Sequence, residues 1–261
     1  RWRREEDVFG TWLGYSAPYD VLLQAGRHSR DMLKGEPDRR AAALRGADGV
    51  VIWDRQMEDG GPCMMVGKTV DSNAVRTDGG AFGLLDGEPL QRTHPITGAL
   101  VPWRYHRRYG CNSVVASRHL LTYRSGAAGY YDLAGDSGTG NLGGFKSGCT
   151  SNLIVADGVL NAPDYTRTCS CAYQNQTSLA LVPVPEADHW TSVVLPGETK
   201  PVRTLGLNLG APGDRRDSDG LLWFDFPSVG GPGPDLPVTV EGPSLRTYCR
   251  HSSAAAGDRP W

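Results

Sequence analysis

Four of the six cysteines lie between residues 109 and 182, in a stretch rich in glycine, asparagine and aromatic residues. Cys169 and Cys171 are two residues apart, so on a strand both sulfurs would face the same side. A bond between them would be strained, because strand geometry separates their Cα atoms by about 6.5–7 Å. We therefore expect two structural disulfides, with Cys111 and Cys149 as the partners. Four thiolates around zinc or an iron–sulfur centre are the alternative.

The same stretch contains a second set of polar side chains. Asp164 is the candidate for a catalytic base. The alternative is that Asp164 and the neighbouring asparagines hold turns and cap strand ends. The candidate ligand-binding residues in this set are Asn112, Arg124, Asn152, Asn161, Tyr165 and Arg167.

A third candidate site lies near the C-terminal end of the chain. Trp223 could provide an aromatic face for a sugar ring, with polar side chains nearby to orient it. Alternatively, Trp223 and Phe226 are core residues of a short alternating strand. The polar residues that would accompany Trp223 are Asn208, Asp214, Arg215 and Asp219.

These residues have to be positioned by strands and turns. The chain contains 34 glycines and 18 prolines, and its apolar runs are short, which favours an all-β fold. One pattern recurs: a small or acidic residue, glycine, two or three apolar residues, then an aromatic. It predicts a tight turn followed by a half-buried strand. Its copies lie at 47–54, 96–105, 156–165 and 218–226. The first three are spaced at close to the length of one β-propeller blade.

Other segments complete this prediction. A short helix is predicted at 38–44, and long loops at 126–150 and 157–177 would form a ligand-facing surface. Prolines between 183 and 201 indicate a linker, so we place one domain at 1–195 and a second at 202–261. Further strands are predicted at 20–26, 112–117, 119–125, 151–156 and 178–184.

Charge and cysteine content limit the function classes. A net charge of −2 gives no indication of the basic surface that nucleic-acid-binding proteins need. No apolar run approaches the length of a membrane span. Six cysteines without zinc-finger spacing indicate an oxidising compartment. We therefore expect a periplasmic, cell-surface or extracellular location, with an export signal upstream of residue 1. On this interpretation the chain is an internal piece of a longer protein.

The Asp-Gly-apolar-apolar-Trp motif at 48–53, followed by GPCMMVGKTV and AFGLLDGEPL, resembles pyrroloquinoline-quinone-like (PQQ-like) propeller repeats. In that family a turn and a tryptophan end each blade, and the tryptophan docks on the next blade. Residues 7–182 are similar to secreted multi-blade propeller proteins of planctomycete-type bacteria, which share the GCN, GCTSNL and APDYTRTCSC motifs. Residues 202–237 resemble the opening strands of a malectin-like sugar-binding β-sandwich, left incomplete here. The turn glycines and docking tryptophans would be Gly49, Gly98, Trp53 and Trp103.

The resemblance implies a partial β-propeller followed by an incomplete β-sandwich. We predict a non-catalytic binding and scaffold module whose partners are other blades of its parent protein and a glycan or protein ligand, with no cofactor. The alternative is a quinone-dependent alcohol or sugar dehydrogenase, which would use PQQ and calcium with Asp164 as the base. Such dehydrogenases have a disulfide of adjacent cysteines, whereas this chain has Cys169-Ser-Cys171.

Overall fold

The computed structural model contains only β-strands, turns and irregular segments in the part of the chain that it describes, which confirms the all-β prediction. By its internal contacts the chain divides into two units, residues 1–91 with 102–104 and residues 92–101 with 105–261. The predicted boundary at 195–202 stays a prediction. The described residues are 2–26, 39–58, 62–66, 74–107, 110–142, 145–148, 151–163, 179–182, 190–195, 201–228, 233–234, 236–239 and 241–242.

The first unit begins with a four-stranded antiparallel sheet in which neighbours in sequence are neighbours in space. This meander is the architecture of a propeller blade. Asp48-Gly49 forms the predicted tight turn before the last strand, with Gly49 at a φ of 75°. The strands are β1 (Trp12–Ser16), β2 (Val21–Ala25), β3 (Arg40–Arg45) and β4 (Val51–Gln56).

The helix predicted at 38–44 was wrong, because residues 40–45 form β3. The alanines there favour helix in isolation. In the folded chain, however, β3 is an inner strand that pairs with both β2 and β4, and Ala41 to Leu44 are all buried. Tertiary pairing therefore overrides the local helix propensity.

Trp53 of β4 packs against the next sheet, as the resemblance implies for a docking tryptophan. Its Nε1 donates a hydrogen bond to the Leu84 carbonyl at 2.8 Å, and its ring meets Phe82 edge-on at 5.6 Å between centroids. That sheet is antiparallel and three-stranded, and a two-stranded hairpin follows it in the chain. These strands are β5 (Met64–Met65), β6 (Ala74–Arg76), β7 (Ala81–Gly83), β8 (Gln91–Thr93) and β9 (Leu100–Pro102).

The second unit contains another four-stranded antiparallel meander, so the loop predicted over 126–150 was wrong in part. Two of its segments are strands that pair with each other. Glycine-rich sequence pairs well here because Gly140 leaves room for the Tyr130 ring, which lies where a Cβ at residue 140 would be. The strands are β10 (Val115–Ala116), β11 (Leu120–Ser125), β12 (Ala127–Asp132) and β13 (Thr139–Asn141).

A three-stranded antiparallel sheet follows, and its turn Asp157-Gly158 again has positive φ angles. The loop predicted over 157–177 therefore begins with a strand. The remainder of that predicted loop, from 164 onward, lies outside the described residues. The strands are β14 (Ile154–Ala156), β15 (Val159–Ala162) and β16 (Leu179–Leu181).

The last sheet has the order β17-β19-β18, with β17 parallel and β18 antiparallel to the central β19. Residues 190–195 run beside it. The backbone of Thr191 pairs with Asp214, and the backbone of Ser192 pairs with Thr139 of β13. This short segment, which we call the seam strand, therefore pairs on both of its edges. The sheet strands are β17 (Gly206–Leu209), β18 (Arg215–Arg216) and β19 (Leu222–Phe226).

Candidate functional site

Two of the six cysteines lie in the described part of the chain. Cys63 is a free thiol packed at the edge of the first core, and burial raises its pKa to about 12. Cys111 is exposed in the turn before β10 and is not bonded to Cys63. The predicted partners of Cys111 lie outside the described residues, so the two disulfides and the thiolate alternative stay predictions. These undescribed cysteines are Cys149, Cys169 and Cys171.

Asn112, a predicted ligand-binding residue, is 5% exposed and lies at the meeting point of four segments. Its Nδ2 donates to the Ser147 hydroxyl at 2.7 Å and to the Ser151 carbonyl at 3.1 Å. Its Oδ1 accepts the backbone N–H of Arg124 at 3.0 Å. This group, the Asn112 junction, uses both side-chain hydrogens of the asparagine within the protein. Ligand binding by Asn112 stays a prediction.

The structure places the other predicted ligand-binding residues of this set around the same sheets. Arg124 is buried on β11, Asn152 is half-buried before β14, and Asn161 is exposed on β15. The proposed base Asp164, with Tyr165 and Arg167, lies outside the described residues. The dehydrogenase alternative with PQQ and calcium therefore stays a prediction. Within the described ranges no three His, Cys, Asp or Glu side chains lie where they could share a metal ion.

Trp223 is the predicted site residue that the structure presents most clearly. It lies on the central strand β19, where its neighbours in sequence Leu222 and Phe224 point into the core and Trp223 points the other way. The side chain is 37% exposed. The alternative that Trp223 belongs to the core was therefore wrong, although Phe226 is half-buried.

Two contacts hold the Trp223 ring in one orientation. Its Nε1 donates to Asp217 Oδ2 at 2.8 Å, and this hydrogen bond is the main cause that lowers the pKa of Asp217. Asp217 is itself fixed, because its Oδ1 accepts the backbone N–H groups of Asp219 and Leu221. Beneath the ring lies Gly206, where a Cβ would come within 3.0–3.2 Å of the indole carbons. The ring is thus both rigid and open.

Arg215 extends this surface. It pairs with Trp223 in the β18–β19 register, so both side chains leave the same face of the sheet. Its guanidinium carbon lies 5.6 Å from the centroid of the Trp190 ring, within the range of a cation–π contact. We call Trp190, Arg215 and Trp223 the Trp223 platform. It combines two aromatic rings with one cation.

Asp214, another polar residue predicted beside Trp223, is buried and does not belong to the platform. Its carboxylate accepts the backbone N–H of Val193 at 2.6 Å and that of Asp225 at 3.0 Å. It also hydrogen-bonds the carboxyl of Asp225, and burial, together with this second carboxyl, raises the pKa of Asp214 to about 7. The two backbone hydrogen bonds that Asp214 accepts connect the seam strand to β19. The other predicted companions are half-buried (Asn208) or exposed (Asp219).

Sequence reasoning missed Asp225 and a group of basic residues around His94. The sequence held no signal for the first, because Asp225 shares the strand face of Trp223 and is nevertheless buried. His94 opens a turn in the sequence, but only the folded chain brings it near Arg216, more than 100 residues away.

Among the described residues no helix is long and apolar enough to cross a membrane.

Comparisons with known proteins give a structural likeness only. No protein-family model matches the chain, and the search of curated proteins found no match. Among solved structures, that of BamB from Moraxella catarrhalis is similar, with 17% identity and a TM-score of 0.34. The match covers 59% of this chain and 42% of that one, so the chain spans less than half of that structure. The planctomycete-type resemblance and the malectin-like domain stay predictions.

Proposed function

We propose that the chain is a non-catalytic binding and scaffold module of an exported bacterial propeller protein, and that its ligand is a carbohydrate which stacks on Trp223. The observation that carries this proposal is the state of the Trp223 ring. A large aromatic side chain on the outer face of a sheet gains little from burial there, yet Asp217 and Gly206 hold it in one orientation. Rigid, exposed aromatic rings bind ligands at low conformational cost.

The chemistry around the ring suits a sugar. An indole face can cover the apolar side of a pyranose ring, while nearby polar groups bind its hydroxyls. Arg215 offers guanidinium donors and Trp190 a second ring in the same surface. A neutral or acidic sugar chain that crosses the Trp223 platform would contact all three side chains.

The scaffold part of the proposal is supported by the two four-stranded meanders. Propellers usually contain four to eight such blades, so the partners that we expect for these sheets are further blades of the same protein. The content of six cysteines suits the periplasm, the cell surface or the extracellular space. The undescribed segments of 157–177 would add to the ligand-facing surface.

A glycan array probed with the 261-residue chain, followed by calorimetric titration of the best ligands, tests the carbohydrate assignment. Trp223→Ala should weaken binding at least about tenfold, because it removes the stacking surface. Trp2→Ala is a matched control, since the Trp2 ring also covers a glycine, Gly49, and its Nε1 also donates a hydrogen bond, to Gly46. It should bind like the wild type. Failure of every glycan to bind, or equal binding by Trp223→Ala, would refute the carbohydrate assignment and leave a protein ligand.

A further inference from the structure

A cavity of about 410 Å³ in the second unit is surrounded by basic side chains. His94 and Gly98 of the hairpin turn line it on one side, and Arg203, Arg216 and Leu222 line it on the other. None of the described residues that line it is acidic. Its volume lies in the range of small-molecule sites. The cavity does not include the Trp223 ring, which leaves the opposite face of β19 from Leu222.

His94 is fixed as a hydrogen-bond donor toward an absent acceptor. It is 2% exposed, and its Nδ1 accepts the backbone N–H groups of Ile96 and Thr97, each at 3.2 Å. Because Nδ1 accepts, the neutral ring carries its hydrogen on Nε2. Burial, and then the nearby Arg92, lower the pKa of His94, which favours this neutral form. The buried Nε2 has no hydrogen-bond partner among the described residues.

Two arginines near His94 have the same surplus of donors. Arg216 donates from Nη1 to the Gly220 carbonyl and from Nη2 to the Asp136 carbonyl, but its buried Nε has no partner in the described part of the chain. Arg92 reaches only the Tyr131 hydroxyl at 3.4 Å and the Asp136 carboxylate at 3.9 Å. Its Nε and Nη2 are buried and likewise lack a partner there.

The nearby acceptor does not balance these donors. Asp136 is the carboxylate closest to Arg92, and it already accepts a short hydrogen bond from the Tyr131 hydroxyl. Buried polar atoms in proteins nearly always have partners, so four buried donor atoms without acceptors call for an acceptor from outside the chain. The guanidinium groups of Arg203 and Arg216 at the cavity, together with that of Arg92 near His94, favour a ligand with negative charge.

We propose that this cavity, the basic cavity, binds a small oxyanion: the carboxylate or phosphate group of a small molecule. When the lining side chains open toward it, the buried His94 Nε2 and Arg216 Nε would bind its oxygens, and the exposed Arg203 at the cavity rim would attract it. Arg203 is placed for this role because its guanidinium lies against the backbone of Gly98 in the hairpin turn. This site is separate from the carbohydrate surface and does not depend on it.

Titration of the isotope-labelled 261-residue chain, followed by NMR of its histidine and arginine side-chain nitrogens, tests the proposal. The probes are inorganic phosphate, glucuronate and, as a neutral control, glucose. We expect saturable shifts of the His94 and Arg216 signals with at least one of the two anions, and none with glucose. A preference for phosphate or for glucuronate identifies which oxyanion the site takes. Absence of saturable shifts with both anions would overturn the proposal without any variant.

Variants then assign the binding to these side chains. His94→Asn retains a side-chain oxygen that can accept the turn N–H groups but removes the Nε2 donor. Both His94→Asn and Arg216→Gln should weaken anion binding at least about tenfold, the loss expected for one charge-assisted hydrogen bond. Arg45→Gln, which removes an exposed arginine paired with Asp48, is the control and should change binding less than about twofold. Unchanged affinity in both cavity variants would refute the assignment.

Discussion

The Asn112 junction and the basic cavity are both buried polar clusters of the second unit, but their hydrogen bonds are balanced differently. At the Asn112 junction each hydrogen of the amide has an acceptor, and its oxygen accepts the N–H of Arg124. At the basic cavity, His94 and Arg216, with the neighbouring Arg92, have more donors than the described chain has acceptors for them. A balanced cluster stabilises the fold by itself. A cluster with surplus donors keeps capacity for a ligand.

The largest effect is expected at the balanced cluster. Asn112→Ala should lower the free energy of unfolding by roughly 3 kcal/mol, because it removes the amide oxygen that accepts the N–H of Arg124 and the amide hydrogens donated to Ser147 and Ser151. Urea denaturation of both proteins measures the difference. A loss below about 1 kcal/mol would mean that water replaces the amide easily and that the junction is not structural.

The Asp214–Asp225 pair is a third buried polar cluster, made of two carboxyl groups, and its effect on stability should depend on pH. Asp214 keeps its proton to about pH 7 when folded, whereas the unfolded group releases it near its ordinary pKa of 3.8. The folded state therefore binds more protons between these values, and stability should fall by roughly 3 kcal/mol as the pH rises from about 4 to 7.

Asp225→Asn should reduce this pH dependence, because an amide can donate to Asp214 without a titrating proton. Asp219→Asn, at an exposed carboxylate nearby, is the control and should retain the slope of the wild type. Urea denaturation across the pH range measures all three proteins. If Asp225→Asn keeps the full slope, Asp225 does not contribute to the raised pKa of Asp214.

A smaller effect is expected from Ser147→Ala, which removes one partner from the Asn112 junction. The Ser147 hydroxyl is fully buried and accepts one hydrogen bond from Asn112. We expect a loss of about 1 kcal/mol, the usual net contribution of one such bond. Urea denaturation measures it, and combination with Asn112→Ala should give less than the sum, since both changes break the same contact. Full additivity would contradict a shared cluster.

The smallest effect is expected at Arg92, which lies near His94 of the basic cavity. Without an anion, Arg92→Met should leave the free energy of unfolding unchanged or raise it by up to about 1 kcal/mol, since it removes buried donors that lack acceptors and keeps an apolar stem. Thermal denaturation in chloride buffer measures this. A loss comparable to that of Asn112→Ala would show that Arg92 is structural and would remove the contrast between the two clusters.

Much of the β-structure could be predicted because its signals are local. The strands expected at 20–26 and 119–125 became β2 and β11, and the Asp-Gly turns at 48–49 and 157–158 adopt positive φ angles. Each of these depends on residues that are adjacent in the chain. The prediction failed at β3 and at β12–β13, where pairing with distant strands outweighs the alanine and glycine content.

For the candidate sites too, features that depend on neighbouring residues could be predicted and features that depend on distant residues could not. Trp223 was predicted as a site residue from its aromatic side chain, whereas the alternation of its strand favoured a core role, and only the fold shows that it faces outward. His94 and Arg216 are separated by more than 100 residues and share no motif, so only the fold can bring them to one cavity. Asn112 was predicted as a ligand residue from its type, and its hydrogen bonds in the fold are to the protein itself.

The seam strand at 190–195 has a practical consequence for anyone who wishes to separate the C-terminal sheet from the blade before it. The backbone of Thr191 exchanges two hydrogen bonds with that of Asp214, and the backbone of Ser192 exchanges two with that of Thr139. A protease cut or a gene truncation on either side of this segment would remove backbone hydrogen bonds either from β13, at Thr139, or from the C-terminal sheet, at Asp214. Fragments that end or start near residue 195 should therefore be prone to misfolding, and the two halves are best expressed together.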